Sequence, residues 1–471
     1  MNATKFDAVV DIFTEVFSEF LSQREDLCDV EADAFDFARK ATAVSLGHAL
    51  EVFDDHLHKS GEFGRVKSKE KRSIVTKSGE VSFRRRRYQK DGGSYIPLDD
   101  ILALSPSSRL SPLANFEITT LALDLSYQKA SDAFERTSGV KISKPTVGEA
   151  ICATAKIIEC SRTPPKKKSV LSLCAEGDGV WISLQHKFEA RKRAHKKNIV
   201  LPKWQEVALG CVYEGKSKLS PKQTVRINPT YTHSLSGHDD FWEKMSAGIE
   251  SRYCIQGLTT TLLGTDGEAG YVRGRDYLPG RVIHSLDRWH VFRTVRQLAK
   301  QDVAPEIIAL LKAKRLDGAL LHLGGYRDVF RQEGRHRRSK DIQKLMKYMV
   351  KWEREILNGL TFSLGSIEGS ISHVVTARCK TLGRSWSRKR LDAILTCLTH
   401  IHSGNALPKG CRKQEVLLCM PAKQENTDIL ASIEIRKLNA PTESHYYHQS
   451  FTKRDGVRSA INEWDTLKKI F

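Results

Sequence analysis

The hydrophobic period of this chain changes at a proline- and lysine-rich stretch, Ser161–Lys168 (SRTPPKKK). Ahead of it, apolar residues recur mostly at helical spacing. Behind it, short β-branched runs alternate with helical patterns, the order of an α/β fold. Adjacent prolines and a lysine run interrupt regular structure, so a new domain is expected to begin there.

The N-terminal part reads in three pieces. Residues 1–62 are expected to be helical, with Phe6, Val9, Val10, Ile12, Phe13, Val16, Phe17 and Phe20 forming an apolar stripe suited to packing or dimerisation. Residues 63–100 read as a β-hairpin turning at Lys77-Ser78-Gly79. Its second strand carries Arg84, Arg85, Arg86 and Arg87, which alternate between faces and suit a ribbon on DNA backbone, or else a solvated edge strand. Residues 101–163 suggest helices over Leu113–Leu125, Tyr127–Thr137 and Pro145–Ile158 with a glycine-containing turn at Ser138–Ser143. That order resembles a helix-turn-helix-like DNA-binding unit, and equally a plain helical bundle.

Behind the linker, VLSLCAEGDG reads as a strand into a turn, VWISLQ as a second strand and EVALGCVYEG as a third. A basic loop, RKRAHKK, lies between them. A helix near Asp240–Arg252, a strand ending at Asp266, the strand RVIHSLD and a helix from His290 follow. Residues 296–360 are helical and basic, with the block RQEGRHRRSK. Glu368 begins another helix, and Arg390–His402 reads as one more. The tail, 403–471, shows no clear period.

Charge narrows the partner. Lys and Arg number 76 against 56 Asp and Glu, a net charge of +20. The excess comes in blocks, at Arg84–Arg87, at Arg191, Lys192 and Arg193, and at Arg335, Arg337 and Arg338, which favours nucleic acid. The ten cysteines include no CxxC pair and no HExxH motif occurs, so zinc is not expected. No apolar run is long enough to span a membrane, and no signal-peptide pattern opens the chain, so a reducing cytoplasm is expected.

Three carboxylates sit where strands or helices should meet a cleft. Asp178 lies in AEGDGVW, Asp266 ends a hydrophobic strand in LLGTDGEAG, and Glu368 opens a helix in GSIEGSISHVV. Each alone also fits an ordinary turn or a helix-start acid. Glu176 and Glu268 are neighbours able to replace them. Together, three converging carboxylates suit hard divalent cations, which take oxygen ligands and relieve the mutual repulsion of the acids.

The blocks AEGDGVWISLQ, EVALGCVYEG, LLGTDGEAGYV, HSLDRWHVFR and IEGSISHVVTARCKTLGRSWS resemble the catalytic blocks of DDE transposases of the IS-Lre type, from prokaryotic insertion sequences, a group related to Mutator-like transposases and long held as an uncharacterised protein family. GEVSFRRRRYQ, SYQKASDAFERTSG and KPTVGEAI resemble its N-terminal half, so the likeness spans roughly residues 73–402. The first block departs from it, reading EGDG where EADG or EVD is usual. The resemblance implies an RNase H-like α/β core, residues 164–295 and 361–402, interrupted by a helical insertion at 296–360. It implies Asp178, Asp266 and Glu368 as catalytic ligands of two Mg²⁺ or Mn²⁺ ions. It also implies His290, in the spacing Asp287-Arg288-Trp289-His290, as a group contacting the scissile phosphate or steadying a ligand, with Asp287 and Glu176 as possible auxiliaries. Transposon ends and target DNA would be the partners, and a homo-oligomer the working form. A nuclease that cuts without joining, and a DNA-binding protein without catalysis, are the competing readings.

Overall fold

The computed structural model describes residues 3–409 apart from 25, 91–92, 107, 161–165, 221–222, 363, 366 and 381–382. The expectations for 403–471 therefore fall almost wholly outside the described residues. The described residues form two compact units, one of residues 3–157 with 406–409, the other of residues 158–405. No described helix is long and apolar enough to cross a membrane.

The first unit opens with helices Ala3–Gln23 and Leu27–Lys59. Phe13, Phe17 and Phe20 pack edge-on against Phe37, so the aromatic stripe joins the two helices. Strands β1 (Val66–Thr76) and β2 (Gly79–Lys90) form the expected antiparallel hairpin, and β3 (Gly93–Tyr95) extends it. Ile74, Val81 and Phe83 pack on Ala43 and Leu57 of the long helix. Three helices follow, at Pro112–Asp124, Tyr127–Ser138 and Lys144–Cys160, close to their expected bounds. Ser111 and Ser126 cap the first two through their side chains. Gly139, at φ +68°, ends the second in the left-handed region.

The second unit is built on a five-stranded mixed sheet. Its strands are β4 (Ser172–Ser183), β5 (Trp204–Tyr213), β8 (Thr230–Ser234), β9 (Thr260–Thr265) and β10 (Arg281–Leu286), in the order β10-β9-β4-β5-β8. β4 pairs antiparallel with β5 and parallel with β9. β5 pairs antiparallel with β8, and β9 parallel with β10. A small hairpin, β6 (Lys216–Ser220) with β7 (Gln223–Arg226), intervenes between β5 and β8.

Here the structure corrects the sequence reading. No turn occurs at Asp178-Gly179: β4 runs unbroken through both former strands. The glycines beside Asp178 serve packing. A Cβ on Gly177 would stand 3.2 Å from Phe241 and Trp242. These two side chains belong to the helix His238–Arg252, which lies on that face. The third antiparallel strand is the polar Thr230–Ser234, which showed no apolar alternation. The supposed loop at 191–197 is mostly a helix, Phe188–Lys196. Only Ala194 of its basic stretch is buried, so no apolar period announced it.

Helices Arg288–Lys312, Leu316–Gln332, His336–Lys351 and Glu353–Phe362 share one hydrophobic core, including Val295, Ile307, Leu323, Leu345 and Ile356. Ile367–Ser370 then continues through a π-helical stretch, Ile371–Thr376, into Ala377–Cys379. Helix Arg388–His402 follows.

Candidate functional site

Alternation along β4 sends Glu176 and Asp178 to one face and Gly177 and Gly179 to the other. The parallel register pairs Glu176 with Gly264, which brings Asp178 level with Asp266 just beyond β9. The next register, Leu286 with Thr265, places Asp287 beside Asp266 at the ends of neighbouring parallel strands. Such strand ends are where α/β sheets gather ligands.

Each acid is held locally. Asp178 Oδ1 accepts from the Gly179 amide at 2.7 Å. Asp266 Oδ1 accepts from the Glu268 amide at 2.8 Å. Asp287 caps the helix Arg288–Lys312, with Oδ1 accepting from the Trp289 amide at 3.0 Å. His290 rises from the first turn of that helix. Its Nε2 lies 3.3 Å from Glu368 Oε2 and 3.7 Å from Asp287 Oδ2.

Burial and mutual repulsion mark the cluster. Burial raises the Asp178 carboxyl to about 6; the Gly179 amide opposes this, the negative charges of Asp266 and Glu368 add to it, and His290 offsets it. Asp287 is also raised, first by burial, with the Trp289 amide and His290 opposing. Its side chain is 4% exposed, and Oδ2 has no hydrogen-bond partner among the described residues. His290 Nε2 is likewise buried and without one. Ligand atoms of Asp287, His290 and Glu368 lie within 4.8 Å of one another. Two orphaned donor atoms beside three further carboxylates fit a divalent cation.

Asp178 thus feels the charges of Asp266, His290 and Glu368, and Asp287, a residue the sequence reading kept as an auxiliary, joins His290 and Glu368 at ligand distance. The signal for Asp287 was present: the strand RVIHSL ends on it as TTLLGT ends on Asp266. Glu176 has a different place. It is fully buried, and Oε2 accepts from the amides of Gly365 at 3.0 Å and Ile367 at 2.9 Å. The Tyr213 hydroxyl donates to Oε1. Both Glu176 oxygens are thus engaged, one with the segment that leads into Glu368 and one with Tyr213.

A family model for UPF0236, an uncharacterised protein family, matches residues 24–415. The chain belongs to UPF0236. Among curated relatives, the UPF0236 protein in the vanSb 3' region of Streptococcus gallolyticus is 26% identical, over 83% of this chain and 86% of its own length. A UPF0236 protein of Caldanaerobacter subterraneus is 23% identical over 83% of this chain and 80% of the relative. Among solved structures, the Drosophila P element transposase strand transfer complex aligns with 39% of this chain and 43% of its own at 10% identity, with a TM-score of 0.24.

Sequence reasoning missed the groove beside Glu368. A cavity of about 520 Å³ is lined by Trp289, Arg293, Arg296, Gln297 and Glu368. Arg293 lies over the Trp289 ring at 5.1 Å. The spacing Trp289, Arg293, Arg296 marks one helix face and was legible in principle.

The basic blocks divide. Arg85 is buried against Asp99 at 2.9 Å, Arg86 pairs with Asp54 at 2.6 Å and Asp55 at 2.7 Å, and Arg87 pairs with Glu70 at 2.7 Å. Of these four, Arg84 is the one classed as exposed. Three of the four arginines are therefore engaged in ion pairs within their own unit. Arg191, Lys192 and Arg193 are exposed on their helix. Arg338 is tied to Asp302 at 2.7 Å and Arg335 to Glu333 at 3.2 Å, while Arg337 is exposed.

Proposed function

We propose that this UPF0236 chain is a DDE transposase, cleaving and joining the DNA of an insertion sequence. The observation that carries the reading is the gathering of Asp178, Asp266, Asp287, His290 and Glu368 at one end of the mixed sheet. The sheet order supports an RNase H-like core: a central first strand with antiparallel pairings to one side and parallel pairings to the other. The first acid lies on the first strand, the second follows the fourth, and the third lies on a later helix. In this reading residues 164–295 and 361–402 make the core and 296–360 the insertion. Residues 63–100 and 101–163 engage DNA, and copies of the chain assemble on paired ends.

Asp178, Asp266 and Glu368 would hold two divalent ions, Mg²⁺ or Mn²⁺, with Asp287 and His290 beside Glu368. Bound there, such ions stabilise charge on the attacking and leaving oxygens of a phosphodiester. The protein's own groups supply position. Glu176 fixes the Glu368 segment to the strand of Asp178. His290 restrains the Glu368 carboxylate. Arg293 and Arg296 offer cations to phosphates in the groove that Glu368 lines. Water attacks the phosphodiester and frees a 3′-hydroxyl, which then attacks target DNA.

The test is a cleavage and strand-transfer assay on linear DNA bearing the element's ends, with Mg²⁺ or Mn²⁺. Wild type is expected to nick and join. Asp178→Ala, Asp266→Ala and Glu368→Ala are expected to bind DNA without reacting. Cleavage without joined product would select the nuclease reading. Binding without cleavage by wild type would sink the enzymatic one.

A further inference from the structure

The sheet face turned away from Asp178 holds a second cavity, of about 200 Å³. Trp181, Trp204, Glu206, Ala208, Ser234 and His238 are among its lining. The antiparallel register sets Trp181 opposite Glu206 and Trp204 opposite Ser183, so both indoles rise from neighbouring strands on one face. They are 57% and 54% exposed. Two large apolar rings at a cavity mouth are costly to leave in water and offer flat faces to a planar ligand.

The polar end of the cavity is acidic and partly unsatisfied. Glu206 Oε1 accepts from the Tyr271 hydroxyl at 2.9 Å and lies 3.4 Å from His238 Nε2. That nitrogen is buried and has no hydrogen-bond partner among the described residues. Ligand atoms of Glu206, His238 and Glu268 lie within 4.8 Å of one another. The Glu268 amide in turn donates to Asp266, so this end adjoins the carboxylate cluster at the strand ends.

The chain that joins the two tryptophan-bearing strands is strongly basic. It contains the helix Phe188–Lys196, on which Arg191, Lys192, Arg193 and Lys196 are exposed. Its base is fastened at the tryptophan end of the strand pair, where the Leu184 amide donates to Lys203 O at 2.8 Å. Aromatic faces beside a run of cations form the combination that holds unpaired nucleic acid, bases by stacking and phosphates by charge.

We propose that this cavity takes one unpaired nucleobase of the DNA substrate, with the flanking phosphates on the helix Phe188–Lys196. The proposal rests on the reading that the chain acts on DNA. A base still stacked in a duplex has both faces covered, so only an extruded or single-stranded one reaches the indoles. The Glu206 carboxylate accepts hydrogen bonds and favours a base with an exocyclic amino group. Cytosine is thus preferred over thymine, whose carbonyls it repels.

The experiment uses the full chain in EDTA, so that nothing is cut, and measures anisotropy of labelled short oligonucleotides. The probes are a deoxycytidine strand, a thymidine strand and a duplex. Wild type is expected to bind the deoxycytidine strand more tightly than the thymidine strand. Trp181→Ala and Trp204→Ala should each weaken it by roughly tenfold, the scale of one lost base stack. Duplex affinity should stay unchanged. Trp181→Phe should restore most of the loss, and Glu206→Gln should erase the preference for cytosine. Both indoles are exposed, so these variants keep the fold. Unchanged single-strand binding in both alanine variants overturns the proposal. A parallel titration with Mn²⁺ and no EDTA overturns it too if binding needs the ion and survives loss of both indoles, which makes the polar end a cation site. The two readings fail separately. Wild type that never cuts duplex ends in Mg²⁺, yet loses single-strand binding with the indoles, removes the transposase and keeps the cavity. Normal cleavage with indifferent tryptophan variants does the reverse.

Discussion

The Ile367 amide donates a 2.9 Å hydrogen bond to Glu176 Oε2, tying the residue before Glu368 to the residue two places before Asp178. The Gly365 amide shares the same oxygen, and Tyr213 holds the other. A buried carboxylate is therefore the link between the strand of the first acid and the helix of the third. Glu176→Ala would strand two amides and a hydroxyl away from water, at a cost of about 3–5 kcal/mol. Glu176→Gln keeps an acceptor for the amides and should cost about 1–2 kcal/mol. Urea unfolding, with Mn²⁺ affinity as a second readout, checks this. A Glu176→Ala protein with wild-type unfolding and wild-type Mn²⁺ affinity would show that no such clamp operates.

Asp178 makes a prediction about pH. Burial lifts its carboxyl to about 6 in the folded protein, from the ordinary value of 3.8. The folded state then binds this proton more tightly than the unfolded one. Its stabilising contribution is present at low pH and is lost as pH rises through about 4 to 6. Ion-free Asp178→Asn should therefore be more stable than wild type at pH 7, by about 1–3 kcal/mol. The advantage should vanish near pH 4, where Asp178 is itself neutral. Saturating Mn²⁺ should reverse the order, because binding to the folded state alone stabilises wild type. Thermal unfolding in EDTA at both pH values decides it, and a pH-independent gap would refute the assignment.

Much of this fold was legible because helices with one buried face announce themselves by period. The three helices between Pro112 and Cys160 and the switch to β structure behind them were read nearly to the residue. What escaped lacked an apolar period. Thr230–Ser234 is a polar strand held by register with β5, and Phe188–Lys196 buries little. The glycines at 177 and 179 look like turn residues and are instead clearance for Phe241 and Tyr271, which only the packing reveals. The site acids were visible as strand ends and a helix start. Asp287 was underrated, since a cap and an orphaned oxygen share one carboxylate. The fate of Arg85 was hidden because Asp99, its partner, lies in the short helix Pro97–Ile101 that follows β3.

Gly365 illustrates how tightly the Glu368 segment is fitted. Its φ is +104°, and a Cβ there would fall 2.0 Å from Asp287 Oδ1. Gly365→Ala combines a disfavoured backbone with a collision against the buried helix cap. Relief requires Asp287 or the segment to shift. The expected result is a loss of about 2–4 kcal/mol in stability and a fall in Mn²⁺ affinity, read by calorimetry. An alanine variant that binds Mn²⁺ as wild type does would mean that Asp287 and Glu368 do not share a site.

The hairpin arginines separate stability from DNA contact. Arg85 and Arg72 both pair with Asp99, at 2.9 and 2.6 Å, and both are nearly buried. Arg85→Ala leaves Asp99 half-compensated and should cost about 2–4 kcal/mol in unfolding. Arg84 is exposed, and its backbone amide, not its guanidinium, is bonded to Glu51 at 2.7 Å. Arg84→Ala should therefore leave stability within about 0.5 kcal/mol of wild type. If Arg84 touches a phosphate, the variant should lower the slope of log affinity against log salt by about 0.9. Duplex binding measured across a salt series tests this directly. An unchanged slope for Arg84→Ala would remove the hairpin from the DNA interface and leave the exposed cations of Phe188–Lys196 as the stronger candidate.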